Sequence, residues 1–105
     1  MVSQTNAKAL TAEIVLQTLR EQPDLFQKYQ IKTLALFGST ARNQATENSD
    51  LDFLVEFDAD PTLNLYMNLK FFLEELFQRK VDLVIKTDIK PQIRESVIQE
   101  ALYVA

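Results

Sequence analysis

Six residues have the types and spacing for phosphate and metal chemistry: Gly38, Ser39, Arg42, Asp50, Asp52 and Asp82. Phosphates bind where backbone N–H groups converge at a helix start, and a glycine there lets the ligand approach without a Cβ in the way. Gly38 and Ser39 suit that position. Ser39 adds a hydroxyl donor, and Arg42, three residues along the same helical turn, can aim a guanidinium at the same oxygens. Asp50 and Asp52 lie two residues apart in an alternating segment, which puts both carboxylates on one side of a strand with Cα atoms about 6.5 to 7 Å apart. A hard cation such as magnesium takes a few carboxylate oxygens and completes its shell with water and substrate phosphates. Two such ions about 3.5 to 4 Å apart stabilise both the attacking and the leaving oxygen. Asp82 is the candidate third carboxylate, because an acid inside the apolar run Val81 to Ile85 requires solvent or a partner.

Each residue also has an ordinary explanation. Gly38 and Ser39 could form a capped strand-to-helix turn, Arg42 could face water, and Asp82 could guard an edge strand. The aspartate pair decides between the two sets, because neighbouring acids on one face repel unless something positive intervenes. Glu56 shares that face and reads as a solvated strand end. Asp58 and Asp60 read as turn and cap. Tyr66, Phe71, Phe72 and Phe77 follow helical spacing and are expected in the core rather than as a base-stacking platform.

The elements that must position these residues follow from periodicity. Leu10, Ile14, Val15 and Leu19 give an amphipathic helix ending before Pro23, and a short turn of helix follows through Leu25, Phe26 and Tyr29. Ile31 to Phe37 is a strand, buried on both faces over Leu34 to Phe37, and it stops at Gly38. A short helix over Ser39 to about Gln44 leads through the polar turn Thr46 to Ser49 into a strand from Asp50 to Phe57. There Leu51, Phe53, Val55 and Phe57 face one way, and Asp50, Asp52, Leu54 and Glu56 the other. Asp60 as N-cap and Pro61 at the first helical position start a helix carrying Leu65, Leu69, Phe72, Leu73 and Leu76, which Arg79 and Lys80 close. A third strand over Val81 to Ile85 and a last helix over Asp88 to Leu102 complete an α+β chain in α-β-α-β-α-β-α order, a small mixed sheet flanked by helices. Residues 1–9 are expected to be a flexible lead, and 10–105 a single domain.

Composition narrows the chemistry. The 105 residues hold no cysteine and no histidine, which removes disulfides, thiolate zinc sites and the imidazole general base. Catalysis would have to run on carboxylates, hydroxyls, amines or guanidinium groups. The formal net charge of −4 argues against a broad nucleic-acid interface, which normally carries a basic stripe. No run approaches the roughly 18 apolar residues of a membrane span, and the polar start lacks a signal core, so a cytoplasmic location is the expectation. The chain holds only one glycine, Gly38, which points to a backbone demand at that position.

The glycine-serine turn, the Asp-x-Asp pair ten residues on and the later acid resemble the DNA polymerase β type nucleotidyltransferase superfamily. Within it, the chain is similar over nearly its whole length to the minimal nucleotidyltransferase (MNT) proteins found as partners of HEPN-domain toxins. The resemblance implies that Gly38, Ser39 and Arg42 hold a nucleoside triphosphate while Asp50, Asp52 and Asp82 bind one or two magnesium ions and carry catalysis. It further implies transfer of AMP from ATP to a protein hydroxyl, on a HEPN toxin that this chain would silence as an antitoxin. A competing expectation is an antitoxin or regulatory subunit that neutralises its partner by binding alone. One departure stands out. Many relatives place glycine directly after the arginine, where this chain has Asn43, a residue that tolerates a left-handed backbone.

Overall fold

The computed structural model describes residues 10–46 and 48–104; the expected lead over 1–9, and Glu47 within the expected turn, lie outside the described residues. In chain order the elements are α1 (Ala12–Arg20), α2 (Leu25–Lys28), β1 (Ile31–Phe37), α3 (Gly38–Ala41), β2 (Leu51–Phe57), α4 (Leu63–Phe77), β3 (Val81–Ile85), a 3₁₀ turn (Lys86–Asp88), α5 (Pro91–Glu100) and β4 (Leu102–Tyr103). The described strands form one mixed sheet in the order β3-β2-β1-β4. β1 pairs antiparallel with both β2 and β4, whereas β2 and β3 run parallel, joined by the 15-residue crossover helix α4.

Side-chain alternation divides the sheet into two faces. Leu34 and Leu36 of β1, Leu51, Phe53 and Val55 of β2, and Val81 and Leu83 of β3 pack with Val15 and Leu19 of α1 and Leu69 and Leu73 of α4. This is the main core. On the opposite face Ala35 and Leu54 are buried with Ile89, and Phe37, Val84, Val97 and Ile98 close a smaller cluster under α5. Asp52 and Asp82 alternate with residues of the main core and therefore belong to the α5 side.

Several expectations from the sequence need correction. Asp60 and Pro61 do not start α4: Thr62 is the N-cap, its hydroxyl accepting from Leu65 N, so the helix begins two residues later than an Asp60 cap would give. Arg79 and Lys80 lie beyond the helix, which ends at Phe77 with Gln78 in the left-handed region, and Arg79 instead donates to the Thr46 and Ser49 carbonyls. The short helix after Gly38 ends at Ala41 rather than near Gln44. The last helix starts at Pro91 and stops at Glu100, because Leu102 and Tyr103 pair with Leu36 and Ala35 as a fourth strand. Ile14 and Phe71 are exposed rather than core. Glu56 is half-buried, accepting from the Thr33 hydroxyl and lying between the ammonium groups of Lys32 and Lys86.

Candidate active site

The sheet register brings the predicted residues together. Phe37, the last residue of β1, pairs with Asp52, and Asp52 pairs in turn with Asp82. Asp52 therefore sits between the end of β1 and the acid of β3, while Asp50 lies just ahead of β2. Neighbouring strands are separated by about 4.8 Å, so these carboxylates are adjacent across the sheet. Asp50 and Asp82 are exposed, and Asp52 is half-buried.

Gly38 follows with a φ of +76°, a left-handed conformation that costs a residue with a Cβ but not glycine. A Cβ built there would fall 2.2 Å from Asp52 Oδ2, inside the carboxylate's own space. The glycine thus allows both the sharp turn and the seating of Asp52 against it. Gly38 then opens α3, whose first-turn N–H groups have no intrahelical acceptor. Ser39 stands in that first turn, half-buried, and its carbonyl accepts from Gln44 N.

Electrostatics mark Asp52 out. Burial pushes its carboxyl above the ordinary range, the negative charges of Asp82 and Asp50 push it further, and the Arg42 guanidinium pulls it back. Arg42 is the C-cap of α3. Its Nη1 donates to Glu100 Oε1 at 2.9 Å and its Nε to Gln44 Oε1 at 3.1 Å. The Glu100 partner was not visible in the motif spacing, since it lies 58 residues downstream. Asn43 takes the left-handed conformation expected of it, with φ +57°. Its Oδ1 also accepts from Ala12 N, the first residue of α1, so the turn and that helix are tied together.

Among the described residues no three acidic side chains stand close enough to form a closed metal cage. The donor set still suits magnesium, which needs only one or two carboxylates and takes its other ligands from water and phosphate. Beside Asp82, a cleft of about 380 Å³ opens between the sheet and α5, with Phe37, Val84, Ile89, Ile93 and Val97 among its lining residues. A second cleft of about 430 Å³, near Thr62, Tyr66 and Leu83, contains none of the six residues.

The nucleotidyltransferase domain family matches residues 19–104 of the sequence, a span that contains every site residue described above. The chain belongs to that family. This nucleotidyltransferase is 47% identical over 81 residues to a candidate protein adenylyltransferase of Methanocaldococcus jannaschii, covering 76% of this chain and 83% of that one. It is 37% identical over 81 residues to the protein adenylyltransferase MntA of Thermococcus cleftensis, covering 77% and 82%. A solved structure described as a candidate minimal nucleotidyltransferase superposes with a TM-score of 0.75 at 37% identity, over 89% of this chain and 95% of that one. A complex of an MNT antitoxin with a tri-AMPylated HEPN toxin of Shewanella oneidensis matches with a TM-score of 0.63 at 15% identity, over 90% and 72%, a likeness of fold alone.

Proposed function

We propose that this nucleotidyltransferase moves AMP from ATP onto a hydroxyl of a partner protein, a HEPN toxin, and thereby acts as an antitoxin. The observation that carries this reading is the seating of Asp52 against Gly38, with Asp82 paired beside it. Acids and a turn with free N–H donors close together support a site that would hold one triphosphate substrate. Gly38 and Ser39 would hold triphosphate oxygens through N–H and hydroxyl donors, with Arg42 adding charge. Asp50, Asp52 and Asp82 are the oxygen donors that would hold magnesium, which supplies charge stabilisation at the reacting phosphoryl group.

Asp82 is the outermost acid and borders the cleft under α5, so the acceptor would approach from there. The acceptor oxygen forms a bond to the α-phosphorus as the bond to the β-phosphate bridging oxygen breaks. Pyrophosphate leaves, and Asp82 accepts the hydroxyl proton. The names of the relatives support an adenylyl donor and a protein acceptor, and the antitoxin complex supports the toxin class.

Mass spectrometry tests the proposal. A HEPN toxin partner incubated with this chain, magnesium and ATP should gain the mass of one or more AMP groups and stay inactive after this chain is removed. The double variant Asp50→Asn, Asp52→Asn should abolish both effects. A separated toxin of unchanged mass and restored activity would instead establish inhibition by binding alone.

A further inference from the structure

Arg42 is tethered at two points. Of the five N–H donors on a guanidinium, Nε is committed to Gln44 and one Nη1 hydrogen to Glu100, which leaves three. Both anchors stand on backbone that is itself held. Gln44 N donates to the Ser39 carbonyl at 2.8 Å, so the backbone that carries this acceptor is tied to the turn after Gly38. Glu100 ends α5, and Leu102, two residues on, pairs with Leu36 in the middle of the sheet. Surface ion pairs of this kind contribute little to stability, so the consequence of the pair lies in where it holds the guanidinium. The Arg42 charge is felt at Asp52, and α3 and α5 are in contact, so Glu100, Arg42 and Asp52 form a chain of alternating charge across the site.

We propose that Glu100, together with Gln44, is a positioning residue that orients Arg42 toward the triphosphate. This rests on the reading of Arg42 as a phosphate ligand. An untethered arginine must give up rotamer freedom on binding, whereas a held one has already done so. The arrangement sets a cost against that gain, because Glu100 also adds a negative charge near an anion. If the charge dominated, removing it would tighten binding; if orientation dominates, removing the acceptor loosens it.

The experiment measures ATP binding with magnesium by calorimetry, and KM and kcat for transfer, in Glu100→Ala, Glu100→Gln, Arg42→Ala and the Arg42→Ala, Glu100→Ala double variant. Glu100→Ala is expected to weaken ATP binding and raise KM about fivefold with kcat little changed, since a phosphate contact made before and during reaction is uniform binding. Glu100→Gln, which keeps an acceptor oxygen, should recover most of the affinity. In the Arg42→Ala background the second substitution should have no further effect. Tighter or unchanged binding in Glu100→Ala, or losses that simply add in the double variant, would overturn the proposal. If Arg42→Ala itself binds ATP as well as the parent, the phosphate role of Arg42 fails first and the positioning role with it. If Arg42→Ala binds weakly and Glu100→Ala normally, only the positioning role fails. Melting temperatures near the parent value identify a local effect, and both Glu100 variants should show them because the residue is exposed.

Discussion

Two residues at the ends of the turn after β1, Gly38 and Asn43, take a left-handed backbone, and each makes a different use of it. At Gly38 the requirement is twofold, because φ is positive and the missing Cβ leaves the space that Asp52 Oδ2 occupies. Gly38→Ala should therefore cost about 1 to 2 kcal/mol for the backbone alone and should also displace the carboxylate. Transfer should fall much further than stability, and thermal melting read alongside an AMP-transfer assay would separate the two losses. Equal activity in the alanine variant would mean that the seating of Asp52 does not matter for chemistry. At Asn43 the left-handed conformation was legible from the residue type, but its benefit was not. The side chain caps Ala12 N, 31 residues away, a contact that no local spacing could reveal. Asparagine at this position replaces the permissiveness of glycine with a tether between α1 and the turn.

At the level of elements, the open edge of β3 is capped at two points by side chains of α4. Glu74 Oε2 accepts from Val81 N at 3.0 Å, and the Tyr66 hydroxyl donates to the Leu83 carbonyl. An unpaired edge on the strand that carries Asp82 would invite strand addition from another chain. Tyr66→Phe should destabilise the fold by about 1 kcal/mol through the lost hydrogen bond, which denaturant titration can measure. No change in midpoint would show that water serves the Leu83 carbonyl equally well. The three long strands were legible because alternation and apolar runs reflect burial directly, and Asp52 and Asp82 fell on one face for that reason. Helix ends were less legible, since they depend on which hydroxyl reaches a free N–H. Thr62 does so for α4, and the Asp60-Pro61 pair reads as a start although it only leads to one. β4 could not be read at all: two residues carry no period, and their pairing with β1 is a tertiary contact.

Across the whole molecule acids outnumber bases for a net charge of −4, and three of the carboxylates share one end of the sheet with Arg42 as a nearby counter-charge. Burial of Asp52 and the charges of Asp82 and Asp50 make its ionised form costly, and the sign of the expected pH dependence follows from that. Asp52 holds its proton more tightly in the folded chain than in the unfolded one, where its carboxyl returns toward the usual 3.8. Ionised Asp52 therefore costs stability at neutral pH. The cost is relieved as pH falls through the raised folded-state value and is gone below the unfolded one. Asp52→Asn should accordingly melt above the parent at neutral pH without magnesium, and this advantage should shrink to nothing on acidification. Adding magnesium with ATP should reverse the order, because the cation stabilises the ionised carboxylate and ligand binding adds linked free energy only where the site is intact. The same variant should lose transfer by orders of magnitude while remaining folded. Calorimetric scans from neutral to acidic pH, with and without magnesium and ATP, measure all these effects. An asparagine variant that melts below the parent at neutral pH in the metal-free state would show the Asp52 carboxylate to be a structural acceptor. Its repulsion from Asp50 and Asp82 would then be too weak to mark a cation site.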